Sequence, residues 1–390
     1  MNGPPARRRP ILPRVGPFRD DTFHSDLQDV RSSARLGIAL AVTFGVCFAT
    51  GLLSHAIQHP PSWLHWPPSP TWGYRVTQGI HVTTGIASIP LLLAKLWSVY
   101  PRFWTWPPIA GAAHAIERLS LLPLVGGSLF LLLSGVASIS RWLPFDFAFP
   151  PAHFAAAWIT IGALVVHVGA KAGATRLALR GAPADRVAAG DGLSRRGFLA
   201  AAGAAAGTLI LTTVGQTFRP LAPLAVLAPR DPRVGPQGLP VNKTASSARV
   251  LDAIHDPAYR LVVEGRVATP LSLSLDELKG MTRRVSALPI ACVDGWSAVG
   301  IWEGVPLRDL LARAGAPAGV PIRIESLQQQ RAPYSSSQVD PVQASDPDVL
   351  LADSLNGAPL DDDHGYPVRL IGPNRPGVQQ TKWVAKVVVG

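Results

Sequence analysis

Apolar residues crowd the first 220 positions of the chain and thin out after them. Four stretches, roughly 36–57, 76–97, 116–139 and 153–172, each reach the about 20 apolar residues that a hydrocarbon core demands. A fifth runs from about 198 to 217. Residues 218–242 carry Pro220, Pro223, Pro229, Pro232, Pro236 and Pro240 with no apolar period, which marks a tether. Beyond it the pattern shortens. Tyr259–Val267 alternates as a strand, and Ser274-Leu275-Asp276-Glu277 reads as a capping box opening a short helix. Leu288–Cys292 reads as a short buried strand ended by a turn at Gly295, Leu307–Leu311 as helix, and Ile322–Ser326, Val368–Ile371 and Trp383–Val389 as further strands. The pattern predicts an N-terminal all-α transmembrane bundle of four spans with a fifth, tethering span, followed by an α+β domain. Its boundaries are a disordered N-terminus over 1–35, the four-helix part over 36–175, a loop over 176–197, the fifth span over 198–217, the linker over 218–242 and the domain over 243–390.

Charge adds an orientation. Only 16% of residues are charged, yet the net charge is +11. Arg7, Arg8, Arg9 and Arg14 precede the first span, Lys95 and Arg102 follow the second, and Lys171, Arg176, Arg180, Arg186, Arg195 and Arg196 lie between the fourth and fifth. The other loops hold little beyond Arg75 and Arg141. Cations that flank spans, instead of forming one stripe with interleaved aromatics, exclude a nucleic-acid binder and fit the positive-inside rule. The N-terminus is therefore expected in the cytoplasm and the C-terminal domain outside it, in a multi-pass cell-membrane protein. Trp63, Trp66, Trp72, Trp104 and Trp106 are placed as an aromatic belt.

Cys292 is the only cysteine of the polar half, so it has no partner there for a disulfide. A thiolate is a soft donor suited to a redox metal. The segment around it reads Cys292-Val293-Asp294-Gly295-Trp296-Ser297, then Trp302, Gly304, Pro306 and Leu307-Arg308-Asp309-Leu310-Leu311. It resembles the molybdenum-ligand motif of the sulfite oxidase superfamily of molybdopterin enzymes. His364-Gly365-Tyr366-Pro367-Val368-Arg369-Leu370 with Lys382-Trp383-Val384 is similar to that family's pterin- and phosphate-cradling segment, and Leu350-Leu351-Ala352 and Asn356-Gly357-Ala358-Pro359-Leu360 match it in spacing. The resemblance implies a molybdopterin-binding α+β domain of the sulfite oxidase type. It further implies Cys292 as molybdenum ligand and catalytic centre, and His364, Arg369 and Lys382 as pterin contacts, a guanidinium and an ammonium being natural phosphate donors. Asn242 resembles a pterin-contacting asparagine of some bacterial members.

Two departures matter. Animal and plant sulfite oxidases continue into an immunoglobulin-like dimerisation domain, whereas this sequence stops at Gly390 just past the last cofactor motif. Those enzymes also place arginines directly after the cysteine, where this chain has Asp294, Gly295 and Trp296. An anionic substrate wants cations beside the metal, so sulfite is disfavoured. The better analogue is the bacterial branch that works with a membrane haem partner, such as the protein-methionine-sulfoxide reductases. Arg331, Tyr334 and Gln338 are polar candidates for the substrate pocket.

Histidines give the helical half its own chemistry, since ligating side chains within spans are costly. His153 and His167 are fourteen residues apart on one span, which returns nearly to one face and separates them by about 21 Å. The spacing resembles that of membrane cytochromes b, which implies one or two b-type haems. His81 with His153 is expected to hold an outer haem, with His55 as substitute, and His114 with His167 an inner one. Ser194-Arg195-Arg196-Gly197-Phe198-Leu199 before an Ala/Gly-rich run resembles a twin-arginine export signal, as needed by a domain that must cross the membrane folded around its cofactor.

The expectation is a membrane-bound molybdopterin-dependent oxidoreductase that transfers oxygen atoms to or from a small-molecule or protein-bound substrate outside the cytoplasm. Its electrons would pass through its own helices to the quinone pool or another membrane redox partner. The alternatives are the same enzyme with a haem-free anchor, and a non-catalytic membrane-anchored binding protein that keeps the fold.

Overall fold

The computed structural model describes residues 25, 27–61, 63–104, 109, 111–142, 149–180, 193–216, 218–330 and 332–390. Residues 1–24 and 26 of the N-terminal segment expected to be disordered, together with Trp106, Arg186 and Arg331, lie outside the described residues, whereas the end of that segment is helical, since the first long helix already begins at Val30. Five long helices come first: α1 (Val30–Gln58), α2 (Gly73–Phe103), α3 (Ala112–Ser140), α4 (Phe149–Arg180) and α5 (Arg195–Thr213). All five are long and apolar enough to cross a membrane. Each of the first four overruns its apolar stretch, because backbone hydrogen bonding continues into the flanking residues once a helix has nucleated. Ile116, Leu119, Leu122, Ile159, Val165 and Val166 point outward and exposed. Such an apolar surface is unfavourable in water and fits hydrocarbon.

Two compact units divide the chain. One comprises Met1–Gly45, Gly85–Val136 and Pro144–Leu209. The other comprises Val46–Thr84, Ala137–Leu143 and Ile210–Gly390, and so joins one end of α1, α2 and α3 to the C-terminal domain.

The domain is α+β, as the pattern predicts. Its strands are β1 (Leu261–Gly265), β2 (Leu271–Leu273), β3 (Arg284–Ala291), β4 (Ser297–Pro306), β5 (Ile322–Ser326), β6 (Ser336–Val339), β7 (Leu350–Leu355), β8 (Ala358–Pro359), β9 (Arg369–Ile371) and β10 (Val384–Val389). Short helices α6 (Ala245–Ala248), α7 (Leu251–Ile254), α8 (Leu275–Lys279), α9 (Leu307–Arg313) and α10 (Pro341–Ala344) connect them. One sheet runs β2-β1-β10-β5-β6, with β1 and β10 parallel; the other runs β3-β4-β7-β8, with β9 also on β7. Leu261, Val263, Ile324, Val387 and Val389 from the first sheet share a core with Val305, Leu351 and Leu370 from the second. Leu288, Ile290, Trp302, Leu350 and Ile371 form another cluster, and Cys292 belongs to it. Trp302 is wholly buried, its indole nitrogen donating to the Leu288 carbonyl at 3.2 Å. Burying a side chain of that size contributes roughly 3 kcal/mol.

The capping box at α8 forms, with Ser274 Oγ accepting from Glu277 N at 3.2 Å and the Glu277 carboxylate from Ser274 N at 2.7 Å. Strand ends differ from the sequence pattern for local reasons. The strand expected over Tyr259–Val267 narrows to β1, since Gly265 turns to positive φ and Tyr259 is held apart by donating its hydroxyl to the Val384 carbonyl. Trp383 likewise leaves β10, at φ 53°, with its indole nitrogen donating to Asp362 O at 2.7 Å. The linker is not free along its whole length. Leu239 is buried in the Cys292 cluster, and Gln237 Nε2 donates to Leu355 O and Pro359 O, both at 3.0 Å.

Candidate active site around Cys292

Cys292 is the first residue past β3. Strand β3 pairs with β4 in antiparallel register up to Ala291–Ser297, and five residues close the hairpin. Cys292 N donates to Trp296 O at 2.9 Å, and Gly295 N returns to Cys292 O at 3.1 Å. Gly295 takes φ 92°, a conformation that glycine reaches without a Cβ penalty. The thiol is thus fixed at the end of a paired strand, on a turn that cannot slide.

The thiol is buried, and burial followed by the neighbouring Asp294 carboxylate pushes its pKa well above the usual thiol range. Such a group is a neutral thiol unless a bound cation keeps it ionised. Asn242 Nδ2 donates to Cys292 Sγ at 3.0 Å and to Asp294 Oδ2 at 2.7 Å. Burial raises the Asp294 carboxyl as well, against the pull of Arg141. Buried Asn242 Oδ1, Trp296 Nε1 and Ser297 Oγ have no hydrogen-bond partner among the described residues. Unpaired polar atoms cost about 1–3 kcal/mol each, so their cluster beside a thiol points to a ligand.

A second group of donors lies on the neighbouring segments. Arg369, on β9, is buried over the Trp302 ring at 5.0 Å, and its guanidinium reaches only backbone oxygens, His364 O at 2.8 Å and Gln380 O at 3.3 Å. Its Nε has no partner among the described residues. Lys382 Nζ donates to Asp363 O at 2.6 Å and Lys243 O at 2.9 Å. His364 Nε2 lies 2.7 Å from Pro236 O. Burial pulls Arg369 down to about 9, Lys382 down to about 7 with Arg369 adding to it, and His364 down to about 4. Arg369 is a buried cation and Lys382 a half-buried one, and neither has an ion-pair partner among the described residues; a fully buried charge left so costs several kcal/mol. A ligand carrying phosphate would supply the missing charge.

The sign of the pH dependence follows from the two basic side chains. With Lys382 at about 7 when folded and near 10.4 when unfolded, the unfolded chain binds more protons between those values. Stability of cofactor-free protein is therefore expected to rise with pH across that window. His364, neutral above about 4 in the folded chain and above about 6.5 in the unfolded one, removes stability as pH falls through that interval. Urea midpoints against pH check both, and a bound phosphate group should flatten the alkaline slope. A flat alkaline profile without cofactor would contradict the uncompensated charge.

The ends of the long helices belong to the same unit as this site. Gln78 Nε2, on α2, donates to Val293 O at 2.6 Å, directly beside Cys292, and Gln78 Oε1 accepts from Ser54 Oγ of α1 at 2.9 Å. Asn374 accepts from Tyr74 N at 2.6 Å and donates to Pro67 O at 2.8 Å, while Trp66 Nε1 donates to Asn374 O at 2.9 Å. Ile57 and Tyr74 are buried with Ala291. Arg141, at the end of α3, stands 3.7 Å from Asp294 Oδ2. The polar contacts these residues make with the domain span 150 or more positions of chain, and no local pattern announces them.

The histidines divide between the units. His55 and His81 lie in the unit that contains the domain, and His114, His153 and His167 in the other. His81 Nδ1 lies 2.8 Å from the Cys47 carbonyl oxygen, which only accepts, so Nδ1 carries a proton. A Cβ on Gly51 would stand 2.8 Å from His81 Cε1, so glycine is what admits the ring. His153 Nδ1 is 2.8 Å from Ser134 Oγ. His114 Nε2 accepts from Arg118 Nε at 3.2 Å, and the His55 ring stacks on His59 at 4.6 Å.

Residues 248–390 match the family model described as the oxidoreductase molybdopterin binding domain. A sulfite oxidase of Gallus gallus is 34% identical over 165 residues, 35% of this chain and 36% of that protein. The protein-methionine-sulfoxide reductase catalytic subunit MsrP of Xanthomonas campestris pv. campestris is 34% identical over 146 residues, 33% of this chain and 44% of its own length. An Azospira oryzae protein provisionally assigned as the protein-methionine-sulfoxide reductase subunit YedZ1 is 30% identical over 132 residues, 34% of this chain and 49% of that one. The chain thus spans half or less of the length of these curated relatives. The resemblance carried by the Cys292 and His364–Trp383 segments is borne out by the family match.

Proposed function

We propose that this chain, whose C-terminal part is a molybdopterin-binding oxidoreductase domain of the sulfite oxidase superfamily, is a membrane-bound enzyme of oxygen-atom transfer that works outside the cytoplasm and exchanges electrons with the membrane through its own helices. The observation that carries this reading is the buried Cys292 thiol beside Asn242, with unpartnered polar atoms on Asn242, Trp296 and Ser297 and, in the same unit, the Arg369 and Lys382 cations without an ion-pair partner among the described residues.

The residues present fit the cofactor. Cys292 would hold molybdenum as thiolate, and Asn242 would donate to the sulfur and temper its electron density. Arg369, Lys382 and His364 would hold the pterin and its phosphate, with Trp302 stacked beneath the guanidinium to keep it in place. When bound, the pterin-held metal supplies two-electron oxygen-atom transfer. The polypeptide fixes the thiol, excludes water from it and provides the cationic cradle.

The same reading gives the helices b-type haem, one or two, with His81 and His153 as axial ligands near the outer side, His55 as the substitute, and His114 with His167 near the inner side. Support comes from the engaged Nδ1 and cleared ring space at His81, and from the Ser134 contact at His153. Electrons would pass to or from quinone or another membrane redox partner. Arg195 and Arg196 open α5, in line with entry through the twin-arginine route and a cytoplasmic N-terminus. The relatives named for protein-methionine-sulfoxide reduction favour a sulfoxide or related oxo compound as substrate class.

Molybdenum and haem quantified together on purified full-length protein test the proposal. Stoichiometric molybdenum with a reduced b-type absorption band is the expected result. Molybdenum without that band would leave a haem-free anchor, and absence of both would leave a binding protein that keeps the fold.

A further inference from the structure

Arg141 ends α3 in a way that its residue type does not favour. Trp142 N donates to Ala137 O at 2.9 Å and Arg141 N to Ser138 O at 3.2 Å, which closes the helix with paired reverse hydrogen bonds. The position between them takes φ 54°, the left-handed region usually given to glycine at this place. A side chain kept there despite about 1 kcal/mol of backbone cost calls for a reason.

Its surroundings supply one. The guanidinium stands 3.7 Å from Asp294 Oδ2, beyond hydrogen-bond reach, and among the described residues it has no hydrogen-bond partner. Asp294 already accepts from Asn242, which also donates to the Cys292 sulfur. Arg230 also acts electrostatically on this carboxylate, without an ion pair to it among the described residues. The Tyr334 hydroxyl feels Cys292, Asp294 and Arg141 together, and its side chain is open to solvent. The cysteine motif itself brings no cation, and Arg141 lies more than 100 positions before the segment that matches the family model.

We propose that Arg141, reaching the Cys292 loop from the end of a helix outside the catalytic domain, is a substrate-binding residue that makes this site selective for small oxyanions or strongly polarised oxo groups. The proposal rests on the molybdenum reading of the site. It gives the helical part a share in the substrate pocket as well as in anchoring. Asp294 holds the guanidinium in place until an anion takes it with direct, charge-assisted hydrogen bonds.

The test uses the full chain in detergent with its molybdenum content measured, and inorganic sulfate as the probe, titrated by calorimetry. Sulfate should bind the native protein. Arg141→Gly should weaken it by about 10- to 100-fold, the loss expected for a charged hydrogen-bond partner. Arg141→Lys should retain part of the affinity. Because glycine suits the left-handed position, Arg141→Gly should melt no lower than the native chain. Equal sulfate affinity in native protein and Arg141→Gly at equal molybdenum content overturns this inference alone, and shows Arg141 to be only a helix cap or interfacial anchor. So does an absence of sulfate binding to molybdenum-loaded native protein. Native protein without molybdenum overturns the underlying reading and this inference with it.

Discussion

Replacing Cys292 by serine is expected to abolish molybdenum-dependent turnover while leaving any haem absorption of the helices unchanged. The buried thiol becomes a good donor only by losing its proton to a bound metal, and a hydroxyl in the same place is a far weaker acid and a harder ligand. Changing groups that merely orient a metal's ligands costs about 10- to 100-fold, and loss of the ligand itself should exceed that. Folding should survive. Serine is smaller than cysteine, Asn242 Nδ2 can donate to an oxygen as it does to sulfur, and the turn is held by backbone bonds from Cys292 N and Gly295 N that the substitution leaves intact. Turnover, molybdenum content and the visible spectrum, measured on the same preparation, separate loss of chemistry from loss of fold. Native turnover in the variant would remove the cysteine from the mechanism.

The second large effect is expected at Arg369. Arg369→Met should strip the cofactor from the protein, with affinity falling by about 150- to 5,000-fold, since breaking a buried ion pair costs about 3–5 kcal/mol. Cofactor-free protein should respond differently. There the guanidinium is a buried cation without an ion-pair partner among the described residues, and an apolar chain of similar length over Trp302 avoids its desolvation cost. The carbonyls of His364 and Gln380 lose their donor, which offsets much of that gain. The melting point of the cofactor-free variant should therefore stay near that of the unmodified chain, while molybdenum retained through gel filtration drops. Full retention would show that Arg369 is a structural cation only.

Much of this was legible in the sequence. Hydrophobic runs located five helices, because a span must be long and apolar whatever it packs against. The Cys292 turn and the Ser274 capping box were visible because each is written in a few adjacent residues. Strands β2, β4, β6, β7 and β8 have no counterpart in the sequence pattern. β7 is buried along almost its whole length and β8 is two exposed residues, so neither carries an alternation, while β6 alternates in burial but its Ser336-Ser337-Gln338 run is too polar to announce it. The site was legible where the family motif covers it and opaque where it is assembled from afar. Gln78, Asn374 and Arg141 meet the Cys292 side of the domain through tertiary packing, and nothing beside them in the chain announces it. In the sequence Arg141 is one of the few cations outside the basic clusters; in the structure it stands beside the carboxylate that flanks the thiol.

The most direct test of the central claim is X-ray absorption at the molybdenum edge of the purified full-length protein, native and Cys292→Ser side by side. A bond from the sulfur of residue 292 predicts one sulfur ligand more in the native protein than in the variant. The same sulfur count in both would contradict it.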